Sequence, residues 1–401
     1  MDSEAIDPIF QVIEMCAMDS HPKRVDLGIG VYMDSNGKTP IFDSIRDAER
    51  QLVCQRATKA YTGLYGLDSY REQVSKLVLG ETGAGVTGEN IRILQTCGGT
   101  AALRICAQLA KDAGQIVHIG QPSWENHLSI MRSTGAQTGI YQYYNSGGQR
   151  VSVTEILEYT SKLSDGDALL LQGCCHNPTG ADLADGDWMR LSEELGRNNV
   201  LPIVDLAYQG LSKGIVEDAF CVKALLKYCP RALISVSSSK NLGLYQDRVG
   251  ALITVAEDRK AADRMHKKAC EISRDLYAMP PAHGAAVAAM VLQEPALRKG
   301  WEHDLALVRK RISDERMRVS AALRAAGVDC GYVENASGLF SILPMGNLSV
   351  IELREKYHIY MQMSGRINVT AINGNNIDYV VASLASLFSK GGAAAGRDRS
   401  F

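Results

Sequence analysis

The chain has 401 residues, with 43 lysines and arginines against 45 aspartates and glutamates, and an ordinary hydrophobic content of 46%. A formal net charge of -2 argues against nucleic acid or an anionic membrane as a partner, and no apolar run nears the ~20 residues that span a bilayer. At this length, one large domain with a smaller companion is expected.

In chain order, the acidic start, Met1 to Pro8, lacks the basic region and apolar core of a signal peptide, so a cytoplasmic address is expected. Residues 25–32 form a Gly-punctuated, strand-like piece that we assign to the smaller lobe. Between Ile91 and Thr254, short apolar runs alternate with helical patterns. The strand candidates are 91–95, 116–119, 168–172, 201–204, 232–236 and 250–254. Helical candidates between them are 101–112, 188–198 and 218–228. This alternation predicts an α/β fold: a mostly parallel central sheet with helices on both faces, and some antiparallel pairing at the edge. Beyond Pro281 a long charged amphipathic helix around 302–326, an apolar run at 338–343, a helix near 348–356 and a second run at 359–363 predict a smaller α+β domain. The end, 391–401, has the composition of a loose tail. The 10 cysteines include no Cys-x-x-Cys pair, and the 8 histidines show no ligand spacing. Reduced thiols and no metal site are therefore expected.

In a parallel α/β sheet, ligands bind beyond the carboxyl ends of the strands, so those positions carry the functional reading. After the first strand come Gly98, Gly99 and Thr100 at a helix start. Such a turn offers backbone N–H groups to an anion, although a plain tight turn explains the same residues. After the second comes Trp124, placed either to stack on a planar ligand or to pack in the core. After the third comes Asn177-Pro178-Thr179-Gly180, where Pro178 holds Asn177 extended and its amide either enters the crevice or caps the turn. Asp205 ends the fourth apolar strand, where a carboxylate is costly without a cationic or N–H partner, and Tyr208 follows it. After the fifth come Ser237, Ser238, Ser239 and Lys240, with Arg248 eight residues on. A lysine so placed is either solvated or desolvated, and a desolvated amine forms imines with carbonyl compounds.

A phosphorylated aromatic aldehyde would use each of these groups. Lys240 would form the imine, and Asp205 would keep a pyridine nitrogen protonated. Tyr208 and Asn177 would bond the ring oxygen while Trp124 covers the face. Gly98, Gly99, Thr100, Ser237, Ser239 and Arg248 would hold the phosphate. That ligand is pyridoxal phosphate.

Cys174-Cys-His-Asn-Pro-Thr-Gly180, Asp205-Leu-Ala-Tyr-Gln-Gly210 and Ser237-Ser-Ser-Lys-Asn-Leu-Gly-Leu-Tyr-Gln-Asp-Arg-Val-Gly250 resemble the class I aminotransferases, in their aspartate and aromatic-amino-acid subgroup. Further matches run from Leu27-Gly-Ile-Gly-Val-Tyr32 to Ser364-Gly-Arg-Ile-Asn-Val369. The resemblance implies a fold-type I pyridoxal-phosphate transferase and a homodimer with shared active sites. It places residues 1–39 in an arm and part of the small domain, 40–307 in the large cofactor-binding domain, and 308–401 in the rest of the small domain. Tyr61 would reach the neighbour's cofactor phosphate, and Arg274 would cross over to a substrate side-chain carboxylate. Arg366 would grip the α-carboxylate, Gly30 and Phe340 would line the small-domain side, and His127 would support Asp205. Closure of the small lobe over substrate would exclude water.

For the amino donor, Met33, Ala60 and Met279 are apolar where aspartate-preferring relatives tend to be polar, which favours an aromatic side chain by burial. Glu125 points the same way. The expected activity is ping-pong transfer of an amino group from tyrosine, phenylalanine, tryptophan or aspartate to a 2-oxo acid such as 2-oxoglutarate, through a Lys240 Schiff base. Strict aspartate use is the alternative. A lyase or decarboxylase with the same cofactor, or a non-catalytic protein on the same scaffold, is further away.

Overall fold

The computed structural model describes residues 8–80 and 88–391. The acidic start up to residue 7 and all but the first residue of the 391–401 tail lie outside the described residues. Thirteen strands are present among those described, β1 (Val25–Asp26), β2 (Ile91–Cys97), β3 (Ile116–Gln121), β4 (Gln137–Gln142), β5 (Tyr144–Asn145), β6 (Arg150–Val151), β7 (Asp167–Gln172), β8 (Leu201–Leu206), β9 (Ala232–Ser237), β10 (Val249–Val255), β11 (Phe340–Ile342), β12 (Ile359–Tyr360) and β13 (Arg366–Asn368). The chain divides into two units. The first takes residues up to Pro40, Asn177–Gly180 and those from Lys310 onward; the second takes Ile41–His176 and Ala181–Arg309.

The second unit is built on a seven-stranded sheet in the order β2-β10-β9-β8-β7-β3-β4. All its neighbouring pairs are parallel except those that β10 makes with β2 and β9. The antiparallel pairing expected at the edge is present, since edge strand β2 pairs with the reversed strand β10. Strand β4 was not anticipated, because Gln137-Thr-Gly-Ile-Tyr-Gln142 is polar and half exposed, as an edge strand with one wet side should be. Strands β8, β9 and β10 are buried along their whole length, which explains their continuous apolar runs.

The helix Gly98–Asp112 lays a face of Ala102, Leu103, Ile105, Cys106, Ala107 and Ala110 against the sheet, at spacings of three and four. That face joins one core with Leu94, Ile119, Leu170, Ile203, Leu233 and Leu252 from the strands. Burial of each such large aliphatic side chain contributes about 1.5–3 kcal/mol. The helix Arg259–Tyr277 covers the same core with Ala269 and Ile272. Its start is capped by the Asp258 side chain, which accepts from the Ala261 N–H at 2.8 Å.

The first unit pairs β1 with β12 in parallel and β11 with β13 antiparallel. Its core gathers Leu27, Val319, Leu323, Leu343, Leu353, Ile359, Ile367, Val380 and Leu384. Of the strand-like piece 25–32, only Val25 and Asp26 pair as a strand. Leu27 still bonds the backbone of Tyr360 and Asn368, and beyond it side chains replace the ladder: Arg366 Nη2 donates to the Gly28 carbonyl, and Asn368 Nδ2 to those of Ile29 and Val31. The helix Pro295–Ala325 contributes Arg316, almost fully buried, whose guanidinium donates to the carbonyls of Val333, Ser337, Gly338 and Phe340 and to the Ser341 hydroxyl. No helix among the described residues is long and apolar enough to cross a membrane.

Candidate active site

The carboxyl end of the large sheet brings Asp205, Tyr208, Ser237, Ser239, Lys240 and the Gly98–Thr100 turn into the same unit. Strands β8 and β9 run in parallel with Asp205 opposite Ser235, so the carboxylate and the lysine leave the sheet in one direction. Arg248 arrives differently. It precedes β10, and because β10 is reversed, the beginning of that strand lies at the end where its neighbours finish. In register, Val249 faces Cys97 and Gly250 faces both Thr96 and Ser237. Arg248 Nη1 donates to Ser239 Oγ at 3.3 Å and to the Tyr245 carbonyl at 3.1 Å.

Gly98 has a φ of 74°, a left-handed conformation that favours glycine. A Cβ there would stand 2.6 Å from Arg248 Nη2, so the guanidinium lies directly over the first residue of the helix Gly98–Asp112. Gly99 packs on Ser237, whose Cβ would be 3.1 Å from an added methyl. Ser237 Oγ accepts from the Ser239 N–H at 3.3 Å. The start of a 15-residue helix, an arginine and two serine hydroxyls thus converge as an anion cradle.

Lys240 Nζ lies 4.9 Å from the centre of the Tyr208 ring. Burial holds its amine pKa below the ordinary lysine value; the Asp205 charge opposes that shift and Arg248 adds to it. Desolvation outweighs the nearby carboxylate, so the amine gives up its proton more readily than an ordinary lysine. Asp205 is 6% exposed, and a carboxylate so buried costs several kcal/mol unless it is paired. One oxygen, Oδ2, is 3.0 Å from His127 Nε2, and the other face of that ring is held by Ser123 Oγ, 2.8 Å from Nδ1. Oδ1 accepts no hydrogen bond among the described residues. A buried carboxylate oxygen left open is a receptor for a protonated ring nitrogen, so this site fits pyridoxal phosphate in its acid, its amine and its anion cradle. Trp124, half-buried, meets the His127 ring edge-on at 5.2 Å.

The remaining expected site residues are described within their own units. In the first unit, Arg366 is 4% exposed. Its Nη1 donates to Asn177 Oδ1 at 3.2 Å, its Nη2 to the Gly28 carbonyl at 2.7 Å, and its guanidinium lies 4.3 Å from the centre of the Phe340 ring. The Asn177-Pro178 bond is cis, where proline was expected only to extend Asn177. Gly30 is exposed, with open space where a side chain would point. In the second unit, Tyr61 is 91% exposed, and Arg274 is exposed on the helix Arg259–Tyr277 with no ion pair among the described residues.

Several supporting residues were not anticipated. Ser123 stands four residues before His127 at a helix start, a spacing that was legible. Tyr70, fully buried, bonds Ser238 Oγ at 2.9 Å from 168 residues away, and no local pattern announces it. Asp218 accepts backbone N–H bonds from Gly210, Ser212 and Lys213 at 2.8, 2.9 and 2.8 Å, fixing the loop after Tyr208; burial raises its pKa against those bonds.

A family profile described as Aminotransferase class I and II matches residues 22–384. The chain is 36% identical over 385 residues to a tyrosine aminotransferase of Rhizobium meliloti strain 1021, covering 96% of this chain and 98% of that one. It is 36% identical over 385 residues to an aspartate aminotransferase of Haemophilus influenzae, covering 95% and 97%. Among solved structures, an aromatic-amino-acid aminotransferase from Burkholderia pseudomallei covalently bound to pyridoxal phosphate superimposes with a TM-score of 0.91 at 34% identity, covering 95% and 97%.

Proposed function

The chain belongs to the class I and II aminotransferases, and from that premise we propose that it moves the amino group of aromatic and dicarboxylic L-amino acids to a 2-oxo acid such as 2-oxoglutarate. Its cofactor is pyridoxal phosphate, which, once bound, supplies an electrophilic carbon for amines and a ring that takes up electrons from the substrate carbon. The observation that carries the reading is the desolvated Lys240 amine beside Asp205, a buried acid with one open oxygen.

Each residue has a defined task. Lys240 Nζ would hold the cofactor and, freed when the substrate amine takes its place there, would be the base that takes the proton from the substrate α-carbon and hands it to the cofactor's aldehyde carbon. Its depressed pKa keeps that base neutral at lower pH than an ordinary lysine. Asp205 Oδ1 would keep a proton on the cofactor ring nitrogen, while His127 holds the other carboxylate oxygen. Tyr208 would offer its hydroxyl to the ring oxygen. Gly98, Gly99, Thr100, Ser237, Ser239 and Arg248 would hold the phosphate through N–H groups, hydroxyls and charge. Trp124 would cover the ring. Arg366, oriented by Asn177 and by the Phe340 face, grips the α-carboxylate that all amino-acid substrates share.

Tyr61 and Arg274 serve a second copy of the chain in a homodimer with shared sites. The 91% exposure of Tyr61, with Ile41 at 50%, Val53 at 71% and Tyr65 at 47%, leaves this stretch with the uncovered apolar surface that such pairing would bury. Arg274 suits a dicarboxylic side chain, and Met33, Ala60 and Met279 favour an aromatic one. A cytoplasmic address completes the proposal.

Steady-state kcat/KM for tyrosine, phenylalanine, tryptophan and aspartate, each with 2-oxoglutarate, tests the substrate range. Aromatic efficiencies within about tenfold of aspartate are expected, the scale on which an apolar pocket discriminates. Aspartate turnover with negligible aromatic turnover would restrict the enzyme to dicarboxylic donors.

A further inference from the structure

We propose that Gln95 is a positioning residue that fixes the two loops flanking the substrate side chain, and thereby sets how tightly the amino donor is held. This deepens the reading above, since it rests on Tyr61, Arg274 and Met279 serving cofactor and substrate.

Gln95 lies in β2, opposite Ala251, and is 1% exposed. It makes three hydrogen bonds outside its sheet. Its backbone N–H donates to the Tyr65 carbonyl at 3.0 Å, its side-chain Oε1 accepts from the Leu67 N–H at 2.8 Å, and its Nε2 donates to the Pro281 carbonyl at 2.8 Å. The first two bonds hold the end of the loop that carries Ala60 and Tyr61. The third holds the segment that follows Arg274 and Met279. The turn of the first loop is moulded on the same side chain: Gly66 has a φ of 82°, and a Cβ there would stand 2.2 Å from Gln95 Cβ. A second tie joins the same two segments, because the Tyr65 ring stacks at 4.8 Å on His266 of the Arg274-bearing helix.

An amide suits this position because it donates from one end and accepts at the other. Leucine matches its bulk but abandons both partners, leaving the Leu67 N–H and the Pro281 carbonyl without their bonds. Glutamate is more discriminating. Protonated, it has one donor and one acceptor and can restore both bonds. Ionised, it only accepts, and its charge faces the Pro281 carbonyl.

The test uses the pyridoxal-phosphate-loaded enzyme and its Gln95→Leu and Gln95→Glu variants. Amino-donor KM and kcat are measured across pH 6–9, and backbone hydrogen exchange is followed over 60–67. In Gln95→Leu, KM for aspartate and tyrosine should rise about tenfold or more, as two buried hydrogen bonds are lost, with a smaller change in kcat. Exchange at Leu67 should accelerate. In Gln95→Glu, at a position 1% exposed where burial raises a carboxyl above its ordinary value of about 4.3, the KM ratio to the parent should approach one at the acid end and climb severalfold as the carboxyl ionises, while the leucine variant's ratio stays flat. Parental KM and exchange in both variants would overturn the proposal. So would a glutamate variant whose KM ratio to the parent is flat with pH while exchange is unaltered. Should Gln95→Leu not fold, the pH series on the glutamate variant decides alone. If the parent turns over neither donor, the functional reading fails instead, and the exchange data still decide whether Gln95 holds the loop.

Discussion

Lys240 pays for its reactivity in stability. Its amine pKa is held below the ordinary lysine value by burial, against the pull of Asp205. Between that depressed pKa and the unfolded value of about 10.4, the unfolded chain binds more protons than the folded one, so stability rises with pH through this window. Below it both states are protonated, and the full cost of burying an ammonium remains. Lys240→Met should therefore raise the apoenzyme's melting temperature at neutral pH, and its advantage should shrink as pH climbs towards the unfolded lysine pKa. Thermal unfolding across that range checks this; a variant no more stable than the parent at neutral pH would show that the lysine carries no burial cost. The cost of Asp205 is handled differently, through His127 and Ser123 on one oxygen, leaving the other for the ligand.

At the scale of elements, the reversed strand β10 decides the site. Were it parallel to its neighbours, Arg248 would begin at the opposite end of the strands, far from Gly98. Gly98→Ala probes that arrangement. The added methyl meets the far end of a flexible side chain, Arg248 Nη2 at 2.6 Å, so the guanidinium can swing aside, while the positive φ adds strain of about 1 kcal/mol. The fold should survive and pyridoxal phosphate should bind at least about tenfold more weakly, the worth of one displaced charge-assisted bond; unchanged affinity in a cofactor titration would remove Arg248 from the phosphate cradle. Much of this architecture was legible in the sequence. The apolar runs that became β2, β3, β7, β8, β9 and β10 are continuous because those strands are buried, and their polar followers mark one end of the sheet. Strand direction was not legible, since nothing in Val249–Val255 distinguishes a reversed buried strand from a parallel one. The polar edge strand β4 also escaped notice. So did the ties made by Gln95, Tyr70 and Arg316, whose partners are chosen by tertiary proximity and leave no periodic trace.

For the whole molecule, the second unit holds Lys240, Asp205 and the residues proposed to cradle the phosphate, and the first holds Arg366 with Asn177 and Phe340. Tyr61 and Arg274, exposed in the single chain, fit the proposed second copy. All of these assignments depend on the cofactor being joined to Lys240. The most direct measurement is borohydride reduction of the yellow holoenzyme, followed by intact-mass and peptide analysis. The account predicts one reduced cofactor per 401-residue chain, on the peptide containing Lys240, and no label in Lys240→Ala. A label on another lysine, or a chain that takes up no cofactor mass, would contradict it.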